Sequence, residues 1–116
     1  MHPIAAALEQ VLVIVGSHDN SLDLLADMLM DPKDTEASPV RMASTHVGSM
    51  GGLRAVASGS CHMAGSHLFD PESKDYNFPF IEKYAPEADA VLVNLAVRLQ
   101  GFIVAPGNPK NIKGVE

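Results

Sequence analysis

Two hydrophobic patterns alternate along the chain. Residues 11–15 are an unbroken, largely β-branched apolar run, the pattern of a strand covered on both faces in a parallel sheet. Gly16 and Ser17 end it. Leu22, Leu25, Met28 and Leu29 then recur at helical spacing, with Asp19 or Asn20 placed to cap the helix and Pro32 to stop it. Residues 31–39 predict a polar loop and residues 40–44 a second strand. A glycine-rich junction follows and leads into a helix over 53–58, with Gly59 as its C-terminal stop. Residues 61–68 predict a third, short strand ending in a small polar patch, and residues 70–79 a loop. Residues 80–84 predict a helical turn, 90–97 a fourth strand, 99–105 a fifth strand or a continuation after a bend, and 106–109 a turn or hinge. Residues 3–10 predict a helical turn or the tail of an upstream element. Strand and helix alternating in this way predict an α/β fold, with a mainly parallel sheet flanked by helices. The divisions expected are an N-terminal extension over 1–10, a lobe over 11–106 and a linker over 107–116.

Composition narrows the functional classes. The 116 residues suit one modest domain or one lobe, and 47% hydrophobic residues suffice for a packed core. A formal net charge of −6 without any Lys/Arg cluster argues against a nucleic-acid-binding surface. An acidic chain can still hold a small anion, because backbone N–H groups and helix ends act locally. Cys61 is the single cysteine and cannot form an internal disulfide, which favours a reducing compartment. The first residues lack the basic start of a signal peptide, and no apolar run is long enough to span a bilayer. The expectation is a cytoplasmic chain with no membrane partner.

The candidate chemistry lies at the strand-to-helix junctions. In an open α/β sheet, ligands bind beyond the carboxyl ends of the strands. Ser17, His18 and Asp19 follow the first strand; Ser49, Met50, Gly51 and Gly52 follow the second; Ser66 and His67 end the third. All three groups are therefore expected on one sheet edge. Any one alone reads equally well as a turn and helix cap. Together they suggest a ligand site in which glycines admit close backbone approach, and a hydroxyl stands beside unpaired helix-start N–H groups. A nucleophile elbow of the G-x-S-x-G type fails on Val47, which stands where the first glycine belongs. The histidines show no metal-ligand spacing, since His62 and His67 are five apart on a strand and point to opposite faces. Met42, Met50 and Met63 fit packing, and Arg54 faces solvent. Arg98 and Gln100 sit between two apolar runs, where polar side chains should face a cleft, a partner or solvent.

These residues together resemble the periplasmic-binding-protein-like family that includes molybdate-binding domains, found fused to helix-turn-helix regulators or to molybdopterin-biosynthesis proteins. The resemblance rests on residues 16–19 with Leu22 to Leu25, and on residues 47–53, 64–71, 76–77 and 98–101 leading to Gly107-Asn108-Pro109. It implies one lobe of a type II binding-protein fold, with no catalysis and no cofactor. It implies a small oxyanion such as molybdate or tungstate at Ser17, His18, the Ser49 to Gly52 turn, Ser66, His67 and Tyr76. In the family the chain would pass beyond residue 109 into a second lobe, so the residues present correspond to the first. The exposed cleft face is then expected to pair with another copy. Two alternatives stand beside this reading: an enzyme or enzyme-associated domain of molybdopterin biosynthesis, and a purely structural dimerisation lobe.

Overall fold

The structure, a computed structural model, describes residues 11–31, 33 and 39–115. The turn expected over 3–10, the stop at Pro32 and most of the 31–39 loop lie outside the described residues. Three parallel strands form the sheet: β1 (Val11–Gly16) in the centre, β2 (Arg41–His46) on one side and β3 (Met63–Gly65) on the other. The register pairs Gly16 with His46 and with Gly65, so all three strands end at one level. The unbroken apolar run of β1 suits its central place, with Ile14 buried.

Helix α1 (Asn20–Met30) begins at Asp19, whose side chain accepts from the Ser21 backbone N–H at 2.9 Å and from the Ser21 hydroxyl at 2.6 Å. It leans on β2, burying Leu22 and half-burying Leu25 and Leu29. Helix α2 (Gly48–Ala57) packs on β1 and β3 and buries Ser49, Gly52 and Leu53, while Arg54 is exposed. It starts earlier than its apolar spacing predicts, because its opening residues are glycines and serine around a single apolar residue, Met50, and so carry no helical periodicity. It ends in a Schellman motif. The Ser60 N–H donates to Ala55 O at 2.8 Å and the Gly59 N–H to Val56 O at 3.0 Å, with Gly59 left-handed at φ +70°.

The predicted 70–79 loop contains a two-residue antiparallel ladder, β4 (Phe69–Asp70) with β5 (Asp75–Tyr76), followed by α3 (Phe78–Tyr84). Asp70 holds the turn by accepting from the Ser73 hydroxyl at 2.6 Å and the Ser73 N–H at 3.1 Å.

The fourth and fifth strands expected over 90–97 and 99–105 do not form: no residue beyond Tyr84 lies in a helix or strand among the described residues. An apolar run becomes a strand only when its N–H and C=O groups meet a partner edge, and neither β2 nor β3 pairs with this segment. Val97 is 95% and Leu99 99% exposed. The radius of gyration, 18.4 Å, exceeds the roughly 13 Å of a compact chain of this length. Residues 106–107 do turn, with the Asn108 N–H donating to Ala105 O at 2.9 Å.

Candidate functional site

Because the three strands end at one level, the residues that follow them meet. The Ser17 hydroxyl lies 2.8 Å from His67 Nδ1, and the Ser49 hydroxyl 3.2 Å from the same nitrogen. The His67 backbone N–H donates to Ser49 Oγ at 3.1 Å. Backbone bonds fix this triangle from beneath: the Ser17 N–H donates to Gly65 O at 2.8 Å, and the Val47 N–H to Gly16 O at 3.1 Å. An imidazole nitrogen offers one in-plane bonding direction, so it pairs well with only one of the two hydroxyls at a time. In either tautomer of His67, at least one of the two hydroxyl protons is not taken up by Nδ1.

The two helix starts differ. Asp19 fills the N-terminus of α1 with its own carboxylate, whereas Val47 at the N-cap of α2 gives no side-chain hydrogen bond. The first N–H groups of a helix have no intrahelical partner, so the opening turn of α2 (Gly48, Ser49, Met50) keeps donors beside the buried Ser49 hydroxyl. Gly51 and Gly52 lie within that helix. A Cβ at Gly52 would stand 2.7 Å from Val15 O and 2.8 Å from Gly16 Cα, so its missing side chain lets α2 touch the end of β1.

The remaining predicted residues are held in different ways. His18 is half-buried, with Nε2 at 3.3 Å from an Asp23 carboxylate oxygen and its ring stacked on His46 at 3.9 Å between centroids. Its Nδ1 is buried without a partner among the described residues. Asp19, besides capping α1, faces Arg98, whose Nε lies 3.5 Å from Asp19 Oδ2. Ser66 turns away from the serine–histidine triangle and donates to Asn77 Oδ1 at 2.7 Å. Tyr76 packs on Phe69 at 5.0 Å and is 56% exposed, with no hydrogen bond to the triangle among the described residues.

Asn77, which the sequence places in the family resemblance but not among the expected ligand residues, organises this side of the site. Its Oδ1 also accepts from the Leu68 N–H at 2.9 Å, and its backbone N–H donates to Leu68 O at 2.7 Å. It does so at φ +62°, a left-handed conformation that Asn adopts more readily than most residues. An Asn two residues ahead of Pro79, at the first turn of a helix, was the available signal.

Asp19 also sets an acid-stability signature. The Ser21 hydroxyl and backbone N–H, with Arg98 and His18 adding to them, hold its carboxyl below the usual carboxylate range. A folded-state value below the unfolded one means that the stabilisation is present above about pH 4 and is lost as pH falls through the lowered value. Asp19→Asn, which retains a capping oxygen, is therefore expected to flatten the acid limb of stability below about pH 4. Urea midpoints measured against pH check this.

The comparisons with known proteins bear on the fold. The pattern of the PBP superfamily domain, the periplasmic-binding-protein-like family, matches residues 32–116. The chain belongs to the PBP superfamily. A three-stranded parallel sheet flanked by helices is consistent with a lobe of this superfamily. A relative from Bacillus subtilis (strain 168), "Uncharacterized protein YvgK", is 31% identical over 102 residues, which cover 88% of this chain and 32% of that protein. This PBP-superfamily chain thus spans about a third of that relative's length. No solved structure matches it.

Among the described residues no helix is long and apolar enough to cross a membrane.

Proposed function

We propose that this lobe binds a small oxyanion of the molybdate or tungstate kind, without catalysis, at the carboxyl edge of its parallel sheet. The observation that carries the reading is the convergence of the Ser17 and Ser49 hydroxyls on His67, beside the uncapped first turn of α2. Toward a ligand these groups are donors: one hydroxyl proton surplus to His67, and the first N–H groups of α2. Donors fixed in advance favour an acceptor-rich anion, and helix-start N–H groups favour its charge. His18 borders the same edge, with Met50, Gly51 and Gly52 in the α2 turn; Ser66, held by Asn77, and Tyr76 belong to the facing loop.

Superfamily membership supports small-ligand binding; the choice of molybdate or tungstate rests on the sequence resemblance. On the same reading the lobe works in the cytoplasm, in a protein of molybdenum metabolism. Its cleft is completed by a second lobe or a second copy, and a regulator or biosynthetic domain is carried alongside. Calorimetric titration with molybdate and tungstate, against sulfate and phosphate, tests the reading. Saturable heat with the first pair supports it, and silence with all four counts against it.

A second reading, acyl transfer, draws on the 2.8 Å separation of Ser17 Oγ and His67 Nδ1, which is a nucleophile–base distance. Against it, no carboxylate hydrogen-bonds the His67 ring to orient it among the described residues. An esterase assay of the chain and of Ser17→Ala and Ser49→Ala separates the two. Turnover abolished by either change would favour the enzyme.

A further inference from the structure

The segment after Ala85 carries one charged side chain back to the site. Over residues 93–100, Val93, Leu95, Val97 and Leu99 occupy one parity, and Asn94, Ala96, Arg98 and Gln100 the other. In an extended chain these are opposite faces. The apolar face stands in solvent, whereas the Arg98 side chain is 47% exposed and its Nε reaches to 3.5 Å from Asp19 Oδ2. Asp19 stands two residues beyond Ser17, and its other oxygen is already committed to Ser21.

A guanidinium presents five N–H donors in a planar fork. Here Nε alone is engaged; the terminal nitrogens take no hydrogen bond or ion pair among the described residues. Among those residues Arg98 is also the one Lys or Arg in ion-pair contact with the turns after β1, β2 and β3. The hydroxyl and backbone donors of the site are neutral, and the chain carries a formal charge of −6. An oxyanion held there would lack a full counter-charge without Arg98.

We propose that Arg98 is an anion-contacting residue of this site, with Asp19 as the internal carboxylate that holds its guanidinium at the rim and competes with the ligand for it. The proposal rests on the oxyanion reading of the Ser17–Ser49–His67 face. It gives the two partners of one ion pair opposite effects. Removing Arg98 takes away an attractive charge. Replacing Asp19 with Asn frees the guanidinium and removes a like charge, while keeping a capping oxygen for Ser21.

The test is calorimetric titration of the full chain, Arg98→Gln, Arg98→Lys and Asp19→Asn with molybdate, tungstate, sulfate and phosphate. Arg98→Gln is expected to weaken the anion bound by the unsubstituted chain about tenfold or more, and Arg98→Lys by less. Asp19→Asn is expected to tighten it severalfold. The dependence of affinity on salt should flatten in Arg98→Gln. If Arg98 merely tethers the segment, Arg98→Gln and Asp19→Asn break the same pair and move affinity in the same direction, which overturns the proposal. Unchanged affinity in Arg98→Gln overturns it as well. Silence of the unsubstituted chain toward all four anions instead removes the oxyanion reading itself, and this inference with it.

Discussion

Gly52→Ala is expected to destabilise the lobe by about 2 kcal/mol or more, although the substitution improves helix propensity. Taken from the helix alone, alanine for glycine inside α2 should stabilise by about 1 kcal/mol. The contact with β1 reverses the sign. The new Cβ would lie 2.7 Å from Val15 O, 2.8 Å from Gly16 Cα and 3.2 Å from the Ala64 Cβ. The first two are backbone atoms of the central strand and cannot rotate aside, so α2 must lift from the sheet; overpacking of this kind typically costs about 1–3 kcal/mol and occasionally more. The core has little reserve, since the buried apolar side chains among the described residues are Ile14, Leu22, Leu53 and Ala85. Gly51→Ala is the comparison: the added carbon would lie 2.6 Å from Val47 Cγ2 and 2.9 Å from Val47 Cβ, so the exposed Val47 at the start of α2 must shift, but the helix need not lift from the sheet. Urea midpoints should fall clearly for Gly52→Ala and far less for Gly51→Ala. Equal midpoints would show that the helix does not sit on β1 as described.

The same contact explains what could be read from the chain. A β-branched run, a capping Asp and a glycine-rich junction each act locally, so β1, α1 and the approach to α2 were legible, as was the shared edge that parallel strands impose. That edge brings Ser17, Ser49 and His67 together from positions as much as 50 residues apart. The failures concern partners. Residues 90–97 and 99–105 are apolar runs of the strand type, but pairing is a property of two segments, and a run alone does not show whether a partner edge meets it. Ser66 and Ser17 look alike in the sequence; only Asn77, folded back at a left-handed φ, turns Ser66 elsewhere. Gly52 reads as a glycine for a ligand, and the backbone of β1 is what it admits. Arg98 stood out as a charge among apolar residues, yet nothing in its spacing pointed to Asp19.

Ser49→Asp carries the largest expected effect on binding. Ser49 is 7% exposed in the first turn of α2, where a carboxylate would meet the same unpaired N–H groups that the proposed anion uses. A helix N-terminus favours negative charge, and His67 Nδ1 already lies within 3.2 Å of the side chain replaced, so the variant has partners for its carboxylate and is expected to fold. The anion then faces both an occupied donor set and a like charge. At about 4 Å and an effective dielectric constant of about 20, that repulsion is of the order of 4 kcal/mol, or roughly a thousandfold in affinity. Ser49→Ala removes one hydroxyl without adding charge and should cost only about tenfold. Paired calorimetry and urea unfolding check the ranking. Undetectable binding in the folded Asp variant, with residual binding in the Ala variant, would place the anion at the start of α2. Full affinity in Ser49→Asp would put any bound anion elsewhere on the lobe, because a carboxylate in the first turn of α2 would repel an anion held on the N–H groups there.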